Sequence, residues 1–350
     1  MLKKILALLL LAAWVTNLYT RSIWQPQDDL PSITTFWVDN QNHTHSLRHS
    51  RLEKWAIFER YSEEEIQRFS LPKHIIMNNK KKITQEKLDT LCTSLVQDLK
   101  KAKKPSQLLT NFTILKDADF NYKEGNGNLI VKCNDYPLVI KIFCETPQSF
   151  VRPFSKGIVP SFLFSMGGGI NRFLAGFTRI PNLIAIQNII EENPEWKQRI
   201  ILPRKWYWLA PETRYFTIRG RNFSDEPNQT YTITVPSTYA IISDYIPCKK
   251  TFSLKSSEDR HCAIQLQTLF KNKIDPHICN FFFDYDGKIA IIDTEHFASI
   301  MGLDESDLFA NYGHLVFGLG NRFIARTLFH NKAERVARTR KNARKTLCIR

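Results

Sequence analysis

From Thr84 to Lys104 the apolar positions Leu88, Leu91, Cys92, Leu95, Val96 and Leu99 recur at steps of three and four. That period puts them on one face of a helix, with Thr84 as its N-cap and Pro105 beyond its end. The pattern then shortens. The runs NFTILKDADF, NLIVKCN and LVIKIF, separated by NYKEGNG and DYP, predict three consecutive antiparallel strands. PNLIAIQNIIEENPEW predicts a helix, RIILPRKWYWL and YTITVPSTYAIISDYI further strands, and DRHCAIQLQTLF another helix. Trp206, Tyr207 and Trp208 are expected in the core. A strand-rich part thus precedes a helix-rich part, with the boundary placed near Ile246. Residues 23–50, polar and broken by Pro26 and Pro31, read as a solvated linker in spite of the cluster His43, His45 and His49.

Charge and apolar runs add to this pattern. The chain of 350 residues carries a net charge of +15, which favours anionic partners without choosing among them. Two lysines precede the apolar run from Ile5 to Val15, the arrangement of a secretory signal or short anchor, so an exported or membrane-associated protein is expected. The seven cysteines are scattered and do not form a disulfide framework. From Lys332 to Arg350 a basic tail has Glu334 as its one acid, a solvated helix or a contact with an anionic membrane surface. It has no interleaved aromatics for stacking nucleic-acid bases.

The stretch DPHICNFFFDYDGKIAIID holds the candidate chemistry. FFFDY and KIAII flank Asp286-Gly287, a tight-turn signal, so a hairpin is expected to bring Asn280 and Asp293 together. One amide and one carboxylate suit a hard cation beside nucleotide phosphates. Asp275, five residues before Asn280, is either a general base or a turn former before Pro276. Gly167, Gly168 and Gly169 lack the Gly-Lys-Ser/Thr of a P-loop. His261, Cys262, His277 and Cys279 have the wrong spacing for a zinc knuckle.

Asp275 to Asp293 resembles the catalytic and metal-binding loops of the protein-kinase-like superfamily, with Asp, then Asn five residues on, then a metal-binding Asp across a hairpin. The ending IDTEHF is closest to the choline kinase and aminoglycoside phosphotransferase branch. LVIKIF resembles the strand bearing the phosphate-binding lysine, here Lys141. The hairpin with Gly125 and Gly127 takes the place of the nucleotide-covering loop, and STYAIISDYIP that of the hinge, where Asp244, Tyr245 and Ile246 would hold adenine by their backbone.

The resemblance implies an α+β, two-lobed kinase-like fold: an antiparallel-sheet lobe over residues 105–246 and a mainly helical lobe over 247–350. A signal or anchor over 1–22 and a linker with a helical extension over 23–104 would precede them. It implies ATP and Mg²⁺ as cofactors, Asn280 and Asp293 as metal ligands, and Asp275 as the base for an unidentified hydroxyl acceptor. Glu295 is either a second metal contact or a structural partner. The departures are Lys273 two residues before Asp275, His277 two residues after it, a sparse glycine loop, and no clear glutamate for Lys141 beyond Glu191, Glu192 or Glu145. They make an inactive kinase-like binding module the alternative.

Overall fold

The computed structural model describes residues 33–39, 41–49, 63–77, 81–101, 111–146, 173–220, 231–253, 256–270, 273–274 and 280–296. The N-terminal apolar run, Gly167 to Gly169, Asp275, His277, Cys279 and the basic tail lie outside them. The first regular structure corrects the linker reading. Strands β1 (Ile33–Val38) and β2 (Thr44–His49) form an antiparallel hairpin. Its turn uses Asp39, whose Oδ1 accepts the N–H groups of Gln41 and His43, while Asn42 sits at φ 63°. An Asx turn of this kind reverses the chain without the glycine or proline that marks most turns in a sequence. His45 and His43 lie 2.8 and 3.3 Å from Asp39 Oδ2, and the hydrogen bond from His45, then those from the turn, hold that carboxyl down at about 2. These histidines are partners of Asp39, and among the described residues no group of His, Cys, Asp and Glu is arranged to hold a metal.

Helix α1 (Glu63–Arg68) and the hairpin of β3 (His74–Ile76) and β4 (Lys82–Thr84) lead into α2 (Gln85–Lys101). Thr84 caps α2 as expected, its hydroxyl accepting the Lys87 N–H at 3.3 Å. The three predicted strands follow as β5 (Phe112–Asn121), β6 (Asn126–Cys133) and β7 (Leu138–Cys144). A helical entry from Phe173, tightened over Gly176–Thr178, starts α3 (Arg179–Glu191), then α4 (Pro194–Lys197). Next come β8 (Ile200–Ile201), β9 (Lys205–Leu209), β10 (Tyr215–Gly220), β11 (Tyr231–Pro236), β12 (Thr238–Asp244) and β13 (Lys250–Thr251). Helix α5 (Ser257–Phe270) and the predicted hairpin of β14 (Phe281–Phe283) and β15 (Ile289–Ile291) complete the order. The protein is an α+β structure built mostly on antiparallel sheets.

The central sheet has the order β5-β6-β7-β12-β9, so β7 and β12 are flanked on both edges. Both faces are covered, which explains why LVIKIFC and TYAIIS are apolar on alternate and intervening positions alike. Leu138, Ile140, Ile142 and Cys144 of β7 pack with Leu88, Cys92, Leu95 and Leu99 of α2. Phe143, Tyr239, Ile241 and Tyr207 face the other way, toward Phe173, Phe177 and Ile180. Stacked rings fix that second contact: Tyr239 lies 4.1 Å from Phe177 and 4.6 Å from Phe143. Tyr207 adds a hydrogen bond to the Phe177 carbonyl at 2.8 Å. The segment Phe173–Glu191, long and apolar enough to cross a membrane by length and composition, has 67% of its most apolar window packed inside the protein.

A second core contains Ile186, Ile190, Trp196 and Ile200 together with Phe252, Leu266, Phe270, Phe281, Ile289 and Ile291. The boundary near Ile246 is therefore not where the packing divides, because α3, α4 and β8 precede it in the chain and build the second core. β8 pairs with β15 in parallel, completing a sheet of order β13-β14-β15-β8. The β14–β15 turn closes through Asp284 Oδ1, which accepts the Asp286 and Lys288 N–H groups at 3.0 and 2.7 Å, with Gly287 at φ 78°. β1 and β2 add to β10 and β11 in a further sheet.

Burial of the core thiols predicts an alkaline limit. Desolvation first, then Asp135 for Cys133 and Glu145 for Cys144, pushes each thiol up to about 12. An unfolded chain releases these protons near pH 8.5, so between about pH 9 and 12 the folded state holds more protons and stability falls as pH rises. The slope is about 1.4 kcal/mol per pH unit for each thiol. The urea midpoint is expected to drop from pH 8 to pH 10.5, and less in Cys144→Ala; a midpoint that rises with pH contradicts the assignment.

Candidate functional site

The inner face of the central sheet carries a lysine where its neighbours are apolar. Lys141 pairs across to Ile130 and Ile241, and Lys205 pairs to Ser243 on the same face. Two strand spacings and one side-chain step separate them, about 12 Å between backbones. Their long side chains converge on one segment, Asp293 to His296, which leaves β15 where that strand ends.

Four anchors hold this segment. The Lys205 amine donates to the Ile292 carbonyl at 3.0 Å and to the Thr294 hydroxyl at 2.6 Å. The Thr294 hydroxyl donates to the Arg179 carbonyl at 2.6 Å. The Asn182 amide donates to the Thr294 carbonyl at 3.0 Å and also to the Lys273 carbonyl, so it ties the chain two residues before Asp275 to the chain just after Asp293. The His296 N–H donates to the Thr178 hydroxyl at 3.0 Å. Thr178, Arg179 and Asn182 belong to the start of α3, which the aromatic cluster locks against the sheet. Burial is the largest cause that pushes the Lys205 pKa well down, followed by the positive charges of Arg179 and Lys141.

Charges meet at Asp293. Its Oδ2 lies 3.7 Å from the Lys141 amine. Its Oδ1 accepts Arg179 Nη1, and Arg179 Nη2 reaches Glu295 Oε2, so one guanidinium forks across both carboxylates. Arg179 is 3% exposed, against 14% for the Lys141 side chain and 26% for that of Asp293. Asn280 stands opposite Ile292 at the open end of the β14–β15 hairpin, its carbonyl accepting the Ile292 N–H at 3.4 Å.

The expected residues fall into three groups. Lys141 and Asp293 are brought together, while Asn280 is placed opposite Ile292 by the hairpin register. Asp275 lies outside the described residues, although Ile274 is fully buried in the second core and Lys273 is tied to Asn182. Gly125 and Gly127 are not brought to Lys141: Gly127 pairs with Cys144, three residues or about 10 Å along β7. Gly125 sits beside the Leu99 carbonyl at the end of α2. Of the hinge residues expected to hold adenine by their backbone, two have their N–H groups engaged within the fold: the Asp244 N–H donates to the Arg204 carbonyl at 3.1 Å and the Tyr245 N–H to the Pro137 carbonyl at 2.8 Å. The Asp244 carboxylate is held by Arg204 at 2.7 and 2.9 Å, and Ile246 is buried with Cys248 and Phe282.

Glu295 is a partner of Arg179, and Glu191 pairs with Lys197. Arg179, Asn182, Lys205 and Thr294 were missed in the sequence. One signal was present: a cation in the first turn of α3, where the helix dipole disfavours positive charge. The donor set of Asp293 and Asn280 has oxygens suited to Mg²⁺, but the arrangement does not fit the ion. Arg179 and Lys141 already face the two oxygens of Asp293, and Arg179 also occupies Glu295.

Removing the Thr294 hydroxyl tests the anchors. Thr294→Val leaves the buried Lys205 amine with one acceptor fewer, an expected loss of about 2 kcal/mol in urea unfolding, largely restored by Thr294→Ser. A loss under about 0.5 kcal/mol contradicts the role. Comparison of the chain with protein-family models, with curated proteins and with solved structures finds no match.

Proposed function

We propose that the chain is a divergent kinase-like protein that binds the phosphates of a nucleoside polyphosphate beside Lys141 and acts as a binding module rather than a phosphotransferase. One observation carries this reading. Lys141, from the middle of the central sheet, stands 3.7 Å from Asp293, which follows a hairpin in the second core. A lysine and a carboxylate converging from the two cores is the pairing that the resemblance leads one to expect. The five-stranded antiparallel sheet and the β14–β15 hairpin support the two-lobed architecture in the same way. The preference for binding over catalysis comes from Arg179, which occupies the carboxylates that a catalytic metal would need.

Phosphate transfer to a hydroxyl acceptor, with Asp275 receiving the proton, is the second reading. It is favoured by Asn182, which holds the chain just before Asp275 against the segment of Asp293. Thermal unfolding with ATP, ADP and GTP, paired with a γ-phosphate transfer assay, separates the readings. Stabilisation by nucleotide without transfer supports the binding module. Transfer that is abolished in Asp275→Asn supports the second reading, and no stabilisation by any nucleotide removes both.

A further inference from the structure

A guanidinium forked across two carboxylates does electrostatically what a divalent cation does in such a place: it cancels their mutual repulsion and fixes their orientation. Arg179 is suited to this role by where it sits. It is the first residue of α3, and the turn before it is clamped by the rings of Phe173 and Phe177 on Tyr239. Its own carbonyl receives the Thr294 hydroxyl, so the backbone at residue 179 is tied to the chain between the carboxylates at 293 and 295. Withdrawing the guanidinium would require breaking this tie, because the side chain is buried.

Each carboxylate already has a resident cation: Asp293 faces both Arg179 and Lys141, and Glu295 faces Arg179. The Lys205 amine holds the intervening backbone through its hydrogen bonds to Ile292 and Thr294. A divalent cation entering here would meet two resident cations at the oxygens it needs.

We infer that Arg179 is a built-in counter-cation that excludes divalent metal from Asp293 and Glu295, so that the site beside Lys141 takes its phosphate ligand metal-free. The inference rests on the kinase-like reading for the nature of the ligand, and its test keeps the two apart. Mn²⁺ uptake is followed by loss of the free-ion electron paramagnetic resonance signal, in the full chain without nucleotide. Wild type is expected to take up no Mn²⁺ at this site, Arg179→Gln to bind it at least about tenfold more tightly, and Arg179→Gln with Asp293→Asn to lose that gain. Wild-type uptake that Asp293→Asn removes overturns the inference, as does a folded Arg179→Gln protein with no gain. Should Arg179→Gln fail to fold, Arg179→Lys retains one charge but cannot fork, and a gain in uptake is again expected; no gain overturns the inference. Thermal unfolding with ATP in EDTA is read separately. Equal stabilisation with and without Mg²⁺ supports metal-free binding, stabilisation only with Mg²⁺ overturns it, and none at all removes the nucleotide reading while leaving the Mn²⁺ result to judge exclusion.

Discussion

Gly127→Ala is expected to cost about 3 kcal/mol or more and to leave little folded protein at 37 °C. Gly127 has φ 108°, which an L side chain rarely adopts, and a Cβ there would lie 2.2 Å from the Asp119 carbonyl oxygen and 3.1 Å from the Phe120 Cα. Both obstacles are backbone, so rotamer changes cannot relieve them. The crowding has a local origin: β5 shifts register twice against β6 between Ile114 and Asp119, which bends it over the glycine. Gly287→Ala is the control. Its φ is 78° but nothing lies within 4 Å of the added carbon, so only backbone strain of about 1 kcal/mol is expected. Urea unfolding of both variants checks the contrast, and equal losses would contradict the geometry.

Lys141→Met is expected to weaken nucleotide binding at least about tenfold while changing stability by no more than about 1 kcal/mol. The asymmetry follows from the neighbours. Asp293 keeps Arg179 when the amine is removed, and methionine retains the apolar stem beside Phe143. A phosphate ligand, in contrast, loses the more accessible of the two cations at the carboxylates, since the Lys141 side chain is 14% exposed and that of Arg179 3%. Wild type saturated at about 100 times its Kd would gain about 2.7 kcal/mol, and the variant at the same concentration measurably less. Equal nucleotide affinity in both proteins would contradict the role of Lys141.

Much of the fold could be read from the sequence because the strands of the central sheet are written in β-branched and aromatic runs between clear turns. Lys141 stood out for the same reason, as a cation interrupting LVI and IF. The hairpin of Asn280 and Asp293 was legible through Asp286-Gly287, whose turn geometry is local. What was not legible is what long-range packing decides. Arg179 acquires its role only when α3 is pressed against the sheet by Phe173, Phe177 and Tyr239, residues far apart in the chain. Lys205 looks like any strand lysine until Thr294 arrives beside it. β1 and β2 read as linker in the sequence because their turn is built by an Asp carboxylate and their polar positions pair with one another and with β10. That the Asp244 and Tyr245 N–H groups are used within the fold was not legible either, because a sequence does not say which backbone donors the fold itself engages.

The most direct test uses an acyl-phosphate derivative of ATP, which acylates lysine amines lying against the phosphates of a bound nucleotide, followed by peptide mass spectrometry. The account predicts that Lys141 is labelled and that excess unmodified ATP protects it. Labelling spread over exposed lysines, with Lys141 unmodified and no protection by ATP, would contradict it.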